Sequence, residues 1–153
     1  MRKASSFNVG LLVVLLDQAS KYLVRHAIEP FGTIPVFPFL HLVNIRNKGA
    51  AFGLFKDLGN SFFIVLSIAA VITVSILLSM TGIQVLSRLG LALILGGAAG
   101  NLIDRVFFGS VVDFIDVFIG GYHWPAFNVA DSAITVGLLL LLFSTEIKKR
   151  QPE

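Results

Sequence analysis

The chain has 153 residues, of which 56% are hydrophobic and 14% are charged, with a mean hydropathy of +0.86. Soluble chains average about 25% charged residues, so this composition excludes an ordinary soluble domain and indicates an integral membrane protein. The net charge of +3 does not indicate nucleic-acid binding, because the basic residues form no stripe with interleaved aromatics, and the absence of cysteine excludes a thiol nucleophile.

Four apolar stretches predict four membrane-spanning helices. A span needs about 20 mostly apolar residues, and residues 58–87 contain no formal charge, which predicts a helix near residues 60–80. Three further spans are predicted at residues 9–24, 89–108 and 129–146, each interrupted or opened by polar groups. The sequence therefore predicts an all-α membrane protein that forms a single membrane domain over residues 1–153.

Two longer segments connect the predicted helices on the side opposite the termini. In residues 25–59, prolines break helices, and residues 36–43 are rich in strand formers, so we expect a small extracytoplasmic β-like patch. Residues 109–128 are predicted to connect two helices along the membrane interface, where Tyr122 and Trp124 are favoured.

The orientation depends on where the basic residues lie. Lys and Arg divide into six on the terminal side and six on the other side. The six terminal-side charges are packed into fewer residues, including the run at residues 148–150, and the positive-inside rule gives such short segments more weight. We therefore expect both termini in the cytoplasm.

Acidic residues in or beside the predicted helices are the first candidates for function. An ionisable group in hydrocarbon costs at least about 2.5–3.5 kcal/mol, so such residues are functional candidates by default. They are Asp17, Asp104, Asp113, Asp116 and Asp131. Asp113 and Asp131 are expected at the same membrane surface, because the segment between them leaves and re-enters there. Two close carboxylates can share a proton, one serving as a base toward water and one as an acid toward a carbonyl oxygen.

Three of these acids also have a structural alternative. Asn128 can cap the last helix with Asp131 at its third position, so Asp131 could serve only the helix terminus. Asp113 could be a solvated acid of an interfacial loop. Asp17 and Lys21 are four residues apart, which is the spacing of a structural ion pair.

The third predicted helix carries small and polar residues close together. Gly96 and Gly100 form a small-xxx-small pair that lets another helix approach closely. Asn101 shares a helix face with Asp104 and Arg105, so these side chains could form a site or an intrahelical polar cluster. The histidines show no metal-ligand spacing and no His-Glu-x-x-His motif is present, so neither a metal nor a cofactor is predicted.

Five short motifs follow one another along the chain. They are Leu16-Asp17-Gln18 with Lys21, Asn47-x-Gly49-x-Ala51-Phe52, Gly96-Gly97-x-x-Gly100-Asn101-x-x-Asp104-Arg105, Val112-Asp113-Phe114 and Phe127-Asn128-x-Ala130-Asp131. In this order they resemble the signal peptidase II family, the aspartic proteases of the bacterial inner membrane. The resemblance covers nearly the whole chain.

The resemblance implies a catalytic pair, a set of supporting residues and a substrate. Asp113 and Asp131 would be catalytic. The residues implied to line or support the site are Asp17, Asn47, Asn101, Asp104, Arg105 and Asn128. The implied substrate is a prolipoprotein whose cysteine carries diacylglycerol, cut on the amino side of that cysteine at the extracytoplasmic face. We expect the protein to act as a monomer within membrane lipid.

Two other functions are compatible with intramembrane polar residues. A small bundle that conducts protons or a solute would need carboxylates distributed through the membrane depth, whereas a hydrolase would cluster them at one face. A non-catalytic assembly subunit would tolerate the loss of both Asp113 and Asp131. The acids from Asp104 onward are expected to cluster, and only Asp17 is expected to lie deeper.

Overall fold

A computed structural model describes residues 3–49 and 59–149, in which four long helices carry a small antiparallel sheet. The elements are α1 (Lys3–Ala27), β1 (Thr33–Phe37), β2 (Leu40–Asn47), α2 (Gly59–Ser79), α3 (Val85–Phe108), β3 (Val111–Ile119), β4 (Tyr122–His123) and α4 (Val129–Lys149). All four helices are long and apolar enough to cross a membrane. The predicted fold class is confirmed.

Helix α3 lies at the centre of the bundle and contacts α1, α2 and α4. Its most apolar segment is 44% buried, whereas those of α1, α2 and α4 are 28%, 17% and 22% buried, so the other three helices turn most of their surface outward. The exposed side chains on them are mainly Leu, Ile, Val and Phe, which lipid solvates in place of a protein core.

Glycines allow the helix backbones to approach closely. A Cβ on Gly96 would lie 2.5 Å from the carbonyl oxygen of Gly10, which confirms Gly96 as a point of close helix contact, here with α1. Between α3 and α4, a Cβ on Gly90 would lie 2.7 Å from the Gly137 oxygen, and one on Gly137 would lie 2.6 Å from the Gly90 oxygen. Any side chain at these positions would separate the helices.

Helix α1 is longer than its predicted span at residues 9–24. It begins at Lys3 and continues to Ala27, past two basic residues that could have ended an apolar span. Lys21 and Arg25 do not end the helix because they face acids inside the bundle and not lipid. An apolar run therefore marks only the part of a membrane helix that faces lipid.

The predicted β-like patch is a four-stranded antiparallel sheet in the order β1-β2-β3-β4. Residues 36–43 do not form one strand, because the chain turns between β1 and β2 near Pro38. Pro35 lies on the edge strand β1, the position in a sheet where proline is tolerated.

The connection over residues 109–128 contributes two strands to the sheet. Strand β3 pairs with β2 in a register that places Val111 opposite Asn47 and Asp113 opposite Ile45. The sequence placed Asp113 and Asp116 in or beside helices, and that placement is wrong, since both lie on β3. Pairing between β2 and β3 joins residues far apart in the chain, so no local pattern could reveal it.

Some predictions concern residues outside the described ranges. They include Ala51 and Phe52 of the second motif and, from the count of basic residues, Arg2, Lys56 and Arg150.

Replacing Gly137 by Val should destabilise the bundle by about 1–3 kcal/mol, the usual cost of overpacking. The new side chain would meet the Gly90 carbonyl oxygen, and helix backbone cannot yield as a flexible side chain can. Thermal unfolding in detergent should show a lower Tm. The matched control is Ala69→Val, which places a valine on the exposed face of α2. Equal Tm values for the two variants would contradict the close contact.

Candidate active site

Asp113 and Asp131 line one small polar cavity of about 90 Å³. Asp113 comes from β3 and Asp131 from the first turn of α4. The other residues that line the cavity are Asn47, Gly49, Asn101, Arg105, Val111 and Ala126. The structure thus brings together the two carboxylates that the sequence predicted to meet, although 17 residues lie between them in the chain.

Asn128 connects the two carboxylates. Its Nδ2 donates to Asp113 Oδ1 at 2.8 Å, while its Oδ1 accepts from the Asp131 backbone N–H at 2.9 Å. The backbone N–H of Asn128 donates in return to Asp131 Oδ2 at 3.3 Å, which completes a reciprocal cap at the start of α4. The predicted cap is confirmed, and the same amide that caps the helix also holds Asp113.

Asn47 and Asn101 donate to the remaining carboxylate oxygens. Asn47 Nδ2 donates to Asp113 Oδ2 at 2.8 Å, and its own Oδ1 accepts from the Gly49 N–H at 2.9 Å. Asn101 Nδ2 donates to Asp131 Oδ1 at 2.8 Å. Both oxygens of both carboxylates therefore receive a hydrogen bond.

The intrahelical cluster considered for Asn101 does not form. Its side-chain hydrogen bonds in the described part of the chain go to other elements, with Oδ1 accepting from Lys21 Nζ at 2.9 Å and from Asn128 Nδ2 at 3.4 Å. Asn101 therefore belongs to the site. Asn101, Asp104 and Arg105 are close together on α3, but each side chain bonds to different residues of other elements.

Asp113 is a buried acid and not the solvated loop acid that the sequence left open, since only 3% of its surface is exposed. Burial, and then the charge of Asp131, raise the pKa of Asp113 to about 7, against the opposing hydrogen bonds from Asn47 and Asn128. Near neutral pH this carboxyl can therefore carry a proton that an ordinary aspartate has lost.

Asp17 anchors the start of α4 to α1. The predicted ion pair is confirmed, with Lys21 Nζ at 2.8 Å from Asp17 Oδ2. Asp17 Oδ1 also accepts from the Ala130 backbone N–H at 2.9 Å, one residue before Asp131. A Cβ on Gly100 would lie 2.6 Å from the Asp17 carboxylate, so this glycine leaves the space that the carboxylate occupies.

Asp104 anchors β3 in the same way. Its Oδ2 accepts from the Val112 backbone N–H at 3.1 Å, one residue before Asp113. Lys21 Nζ lies 3.3 Å from that oxygen, and Arg25 lies 3.3 Å from Oδ1. The role of Arg25 was missed, although its spacing from Lys21 repeats the four-residue interval that joins Lys21 to Asp17.

Arg105 supplies cationic N–H groups to the cavity. Its Nη2 donates to the Gly49 carbonyl at 2.8 Å, and its guanidinium lies 4.4 Å from the centroid of the Phe63 ring. Its Nη1 is buried and has no hydrogen-bond partner in the described ranges. Asn60 Nδ2 donates to the Arg105 backbone oxygen at 2.9 Å, and neither Asn60 nor Phe63 carried a signal that the sequence analysis recognised.

Asp116 lies outside this cavity. His123 Nδ1 lies 2.8 Å from one of its carboxylate oxygens, and His41 Nδ1 lies 3.8 Å from the other. Within residues 3–49 and 59–149, no group of His, Asp and Glu side chains is arranged to hold a metal ion.

A second cavity, a mainly apolar groove of about 400 Å³, adjoins Asp131. It runs between α4 and the segment before it and is lined by Trp124, Phe127, Asp131, Ser132, Thr135 and Val136. Because Asp131 lines both the groove and the polar cavity, an apolar chain in the groove would end beside the carboxylate pair.

The chain is similar in sequence to proteins of one family. The family model described as Signal peptidase (SPase) II matches residues 9–147. A Lipoprotein signal peptidase of Thermodesulfovibrio yellowstonii is 44% identical over 132 residues, which cover 86% of this chain and 88% of that protein. A Lipoprotein signal peptidase of Burkholderia mallei is 46% identical over 138 residues, which cover 88% of this chain and 83% of that protein.

Two solved structures share the architecture, each described as a bacterial membrane enzyme studied by the in meso method. The structure at 2.3 Å resolution has a TM-score of 0.87 and 32% identity, and the match covers 98% of this chain and 93% of that one. The structure at 1.9 Å has a TM-score of 0.82 and 34% identity, over 93% of this chain and 92% of that one. The likeness extends through the helices and the sheet.

Replacing Asp17 by Asn should mainly lower stability, because Lys21 would lose its closest charged partner inside the bundle. Removing one member of a buried ion pair typically costs about 3–5 kcal/mol. We expect a lower Tm in detergent and reduced accumulation in the membrane, with Glu29→Gln, at an exposed acid, as the control. A fully stable but inactive Asp17→Asn protein would instead place Asp17 in the chemistry.

Proposed function

Since the chain belongs to the signal peptidase II family, we propose that it works as an aspartic endopeptidase with Asp113 and Asp131 as its catalytic pair. The family itself identifies the protein as a multi-pass bacterial membrane protease that removes signal peptides from prolipoproteins. The proposal concerns the chemistry, the residues that perform it and the form of the substrate.

The observation that carries the proposal is the shared cavity of Asp113 and Asp131. Amide or backbone N–H groups hold both carboxylates, and the pKa of Asp113 lies near 7. Near neutral pH the pair can therefore hold one proton between two carboxylates, the state that acid and base catalysis by a dyad requires.

The reaction follows from this protonation state. The ionised carboxylate accepts a proton from a water molecule as the water oxygen attacks the scissile carbonyl carbon, and the protonated partner donates to the carbonyl oxygen. When the C–N bond breaks, the leaving amine takes up a proton from the carboxyl that received one from water. The hydroxyl formed from the carbonyl oxygen returns its proton to the partner carboxylate as C=O reforms, which restores the one-proton pair. The products are a new carboxyl terminus on the signal peptide and a free amino group on the cysteine.

The supporting residues have separate tasks. Asn47, Asn101 and Asn128 orient the carboxylates through their amides. Asp17 and Asp104 hold the backbone immediately before Asp131 and Asp113. Arg105 lines the cavity and has a buried N–H without a partner among the described residues, so it is suited to bind a carbonyl oxygen of the substrate backbone.

The proposed substrate form is a prolipoprotein that carries diacylglycerol on the cysteine following the scissile bond. Lipid on that cysteine would hold the bond at the membrane surface, the depth at which the paired carboxylates are proposed to lie. The apolar groove beside Asp131 offers an adjoining surface for an apolar part of the substrate. Both oxygens of both carboxylates receive hydrogen bonds from within one chain, so we propose that the pair needs no residue from a second copy and that the protein acts as a monomer.

The proposed orientation places both termini in the cytoplasm and the site on the extracytoplasmic side. Lys21, Arg25, Arg88 and Arg105 lie within the candidate spans, where the positive-inside rule does not count them as loop charges. Of the other basic residues, five lie on the terminal side, at positions 2, 3 and 148–150, and three on the site side. Counting loop charges alone thus gives the terminal side more basic residues than the site side, whereas the count of all twelve was equal. The excess supports a cytoplasmic location for both termini.

The arrangement does not favour a proton- or solute-conducting bundle. A relay needs carboxylates through the depth of the membrane, whereas Asp17 contacts the start of α4 and Asp104 contacts the start of β3. Even the acid expected to lie deeper therefore joins the cluster around one end of the bundle.

Asp113→Asn and Asp131→Asn should each reduce cleavage of a lipidated precursor by at least about a thousandfold, because an amide can neither hold nor accept the shared proton. The control is Asp116→Asn, which removes an acid of the same strand outside the cavity and should leave cleavage within a few-fold of the parent. Purified protein, lipidated and non-lipidated precursors, and mass spectrometry of the products give the measurement. Normal cleavage by either dyad variant would overturn the catalytic assignment, and equal cleavage of both precursors would overturn the lipid requirement.

The kcat/KM of cleavage should fall above about pH 7, because Asp113 then loses the proton that it must donate. The hydrogen bond from Asn47 lowers the pKa of Asp113, so removing it in Asn47→Ala should raise that pKa further and move the alkaline limb to higher pH. The profile of kcat/KM against pH for both proteins is the measurement. An alkaline limb that stays in place or moves to lower pH would show that Asp113 is not the acid.

A further inference from the structure

Lys21 contacts an amide of the site in addition to forming two ion pairs. The side chain is fully buried, and its ammonium lies 2.8 Å from Asp17 Oδ2 and 3.3 Å from Asp104 Oδ2. These two carboxylates balance the charge and take up two of the three ammonium N–H groups. The third N–H donates to Asn101 Oδ1 at 2.9 Å, and Asn101 is the residue that donates to Asp131.

This contact determines which way the Asn101 amide faces. An ammonium has three N–H donors and no acceptor, so only the amide oxygen can face Lys21. The amide NH₂ must then face Asp131, where Nδ2 lies 2.8 Å from Oδ1. An amide held with its donor toward a carboxylate favours the ionised form of that carboxylate.

The other amides of the site are oriented by neutral donors. Asn47 has its oxygen on the Gly49 N–H, and Asn128 has its oxygen on the Asp131 N–H. These two are the amides that donate to Asp113. Among the residues that the structure describes, only the Asn101 amide has a cation on its oxygen, with the more distant Asn128 Nδ2 at 3.4 Å as a second donor.

The surroundings of the two carboxylates differ in a second respect. Asp131 lies in the first turn of α4, where the helix dipole favours a negative charge. Asp113 lies on strand β3, and a strand has only a small net dipole. The charged groups around the pair are Asp17 and Lys21 from α1 and Asp104 and Arg105 from α3. Arg25 of α1 contacts Asp104 Oδ1 and does not line the cavity of the pair.

On this basis we propose that Lys21 is a positioning residue of the catalytic pair. Acting through Asn101, it keeps Asp131 as the ionised carboxylate that takes the proton from water and leaves Asp113 as the proton donor. The inference rests on the proposed function, because it assigns roles within the pair of aspartates.

The test separates this role from simple stabilisation by using Asn101→Ala, which leaves the ion pairs of Lys21 with Asp17 and Asp104 in place. Loss of the amide should move the acidic limb of the kcat/KM profile upward by at least about one pH unit, since one hydrogen bond to a charged group is lost. Lys21→Met should produce the same displacement, and Lys21→Arg should largely restore the parent profile. If Lys21→Met does not fold, Asn101→Ala and Lys21→Arg decide the question.

The matched control is Arg25→Gln, which breaks an ion pair to Asp104 but touches neither Asn101 nor the two catalytic carboxylates. It should lower the Tm and leave both limbs of the profile in place. An acidic limb that does not move in Asn101→Ala, or an alkaline limb that moves in its place, would overturn the role of Lys21. Failure of the catalytic pair itself would be recognised separately, as cleavage that survives Asp113→Asn or Asp131→Asn.

Discussion

A charge placed inside a bilayer must have partners, and the arrangement of the site follows from how this chain meets that requirement for Lys21. The ammonium is surrounded by two carboxylates and one amide oxygen. One carboxylate, Asp17, also holds the backbone at the start of α4, and the other, Asp104, holds the backbone at the start of β3. Neutralising one buried cation therefore also positions the two chain segments that carry Asp131 and Asp113.

The side-chain amides convert this framework into a defined geometry. An amide has an acceptor end and a donor end, so a donor on its oxygen determines what its nitrogen must face. Asn47, Asn101 and Asn128 each receive such a donor, and each directs its NH₂ toward a carboxylate. Asn128 also caps α4, so the start of that helix and the geometry of the carboxylate pair depend on the same side chain.

Much of the fold and of the site could be predicted from the sequence where the pattern involves residues close together in the chain. The apolar stretches located the helices, the four-residue spacing identified the pair of Asp17 and Lys21, and the cap at Asn128 was readable from a few neighbouring residues. The strand that carries Asp113 could not be predicted, because its hydrogen bonds go to β2, more than sixty residues earlier. The extension of α1 past residue 24 was also missed, since Arg25 is accommodated by Asp104 of another helix.

The sequence by itself determined that this is a membrane protein of four helices, which polar residues lie at costly positions and which family motifs they match. Those properties depend on composition, on the hydrophobic length of a helix and on spacings within a few turns. Only the tertiary structure decided that Asp113 and Asp131 line one cavity, that Asn101 bonds across the bundle and not along its own helix, and that Lys21 faces Asn101. These contacts join separate elements, and their geometry arises from helix packing and strand register, which no local segment specifies.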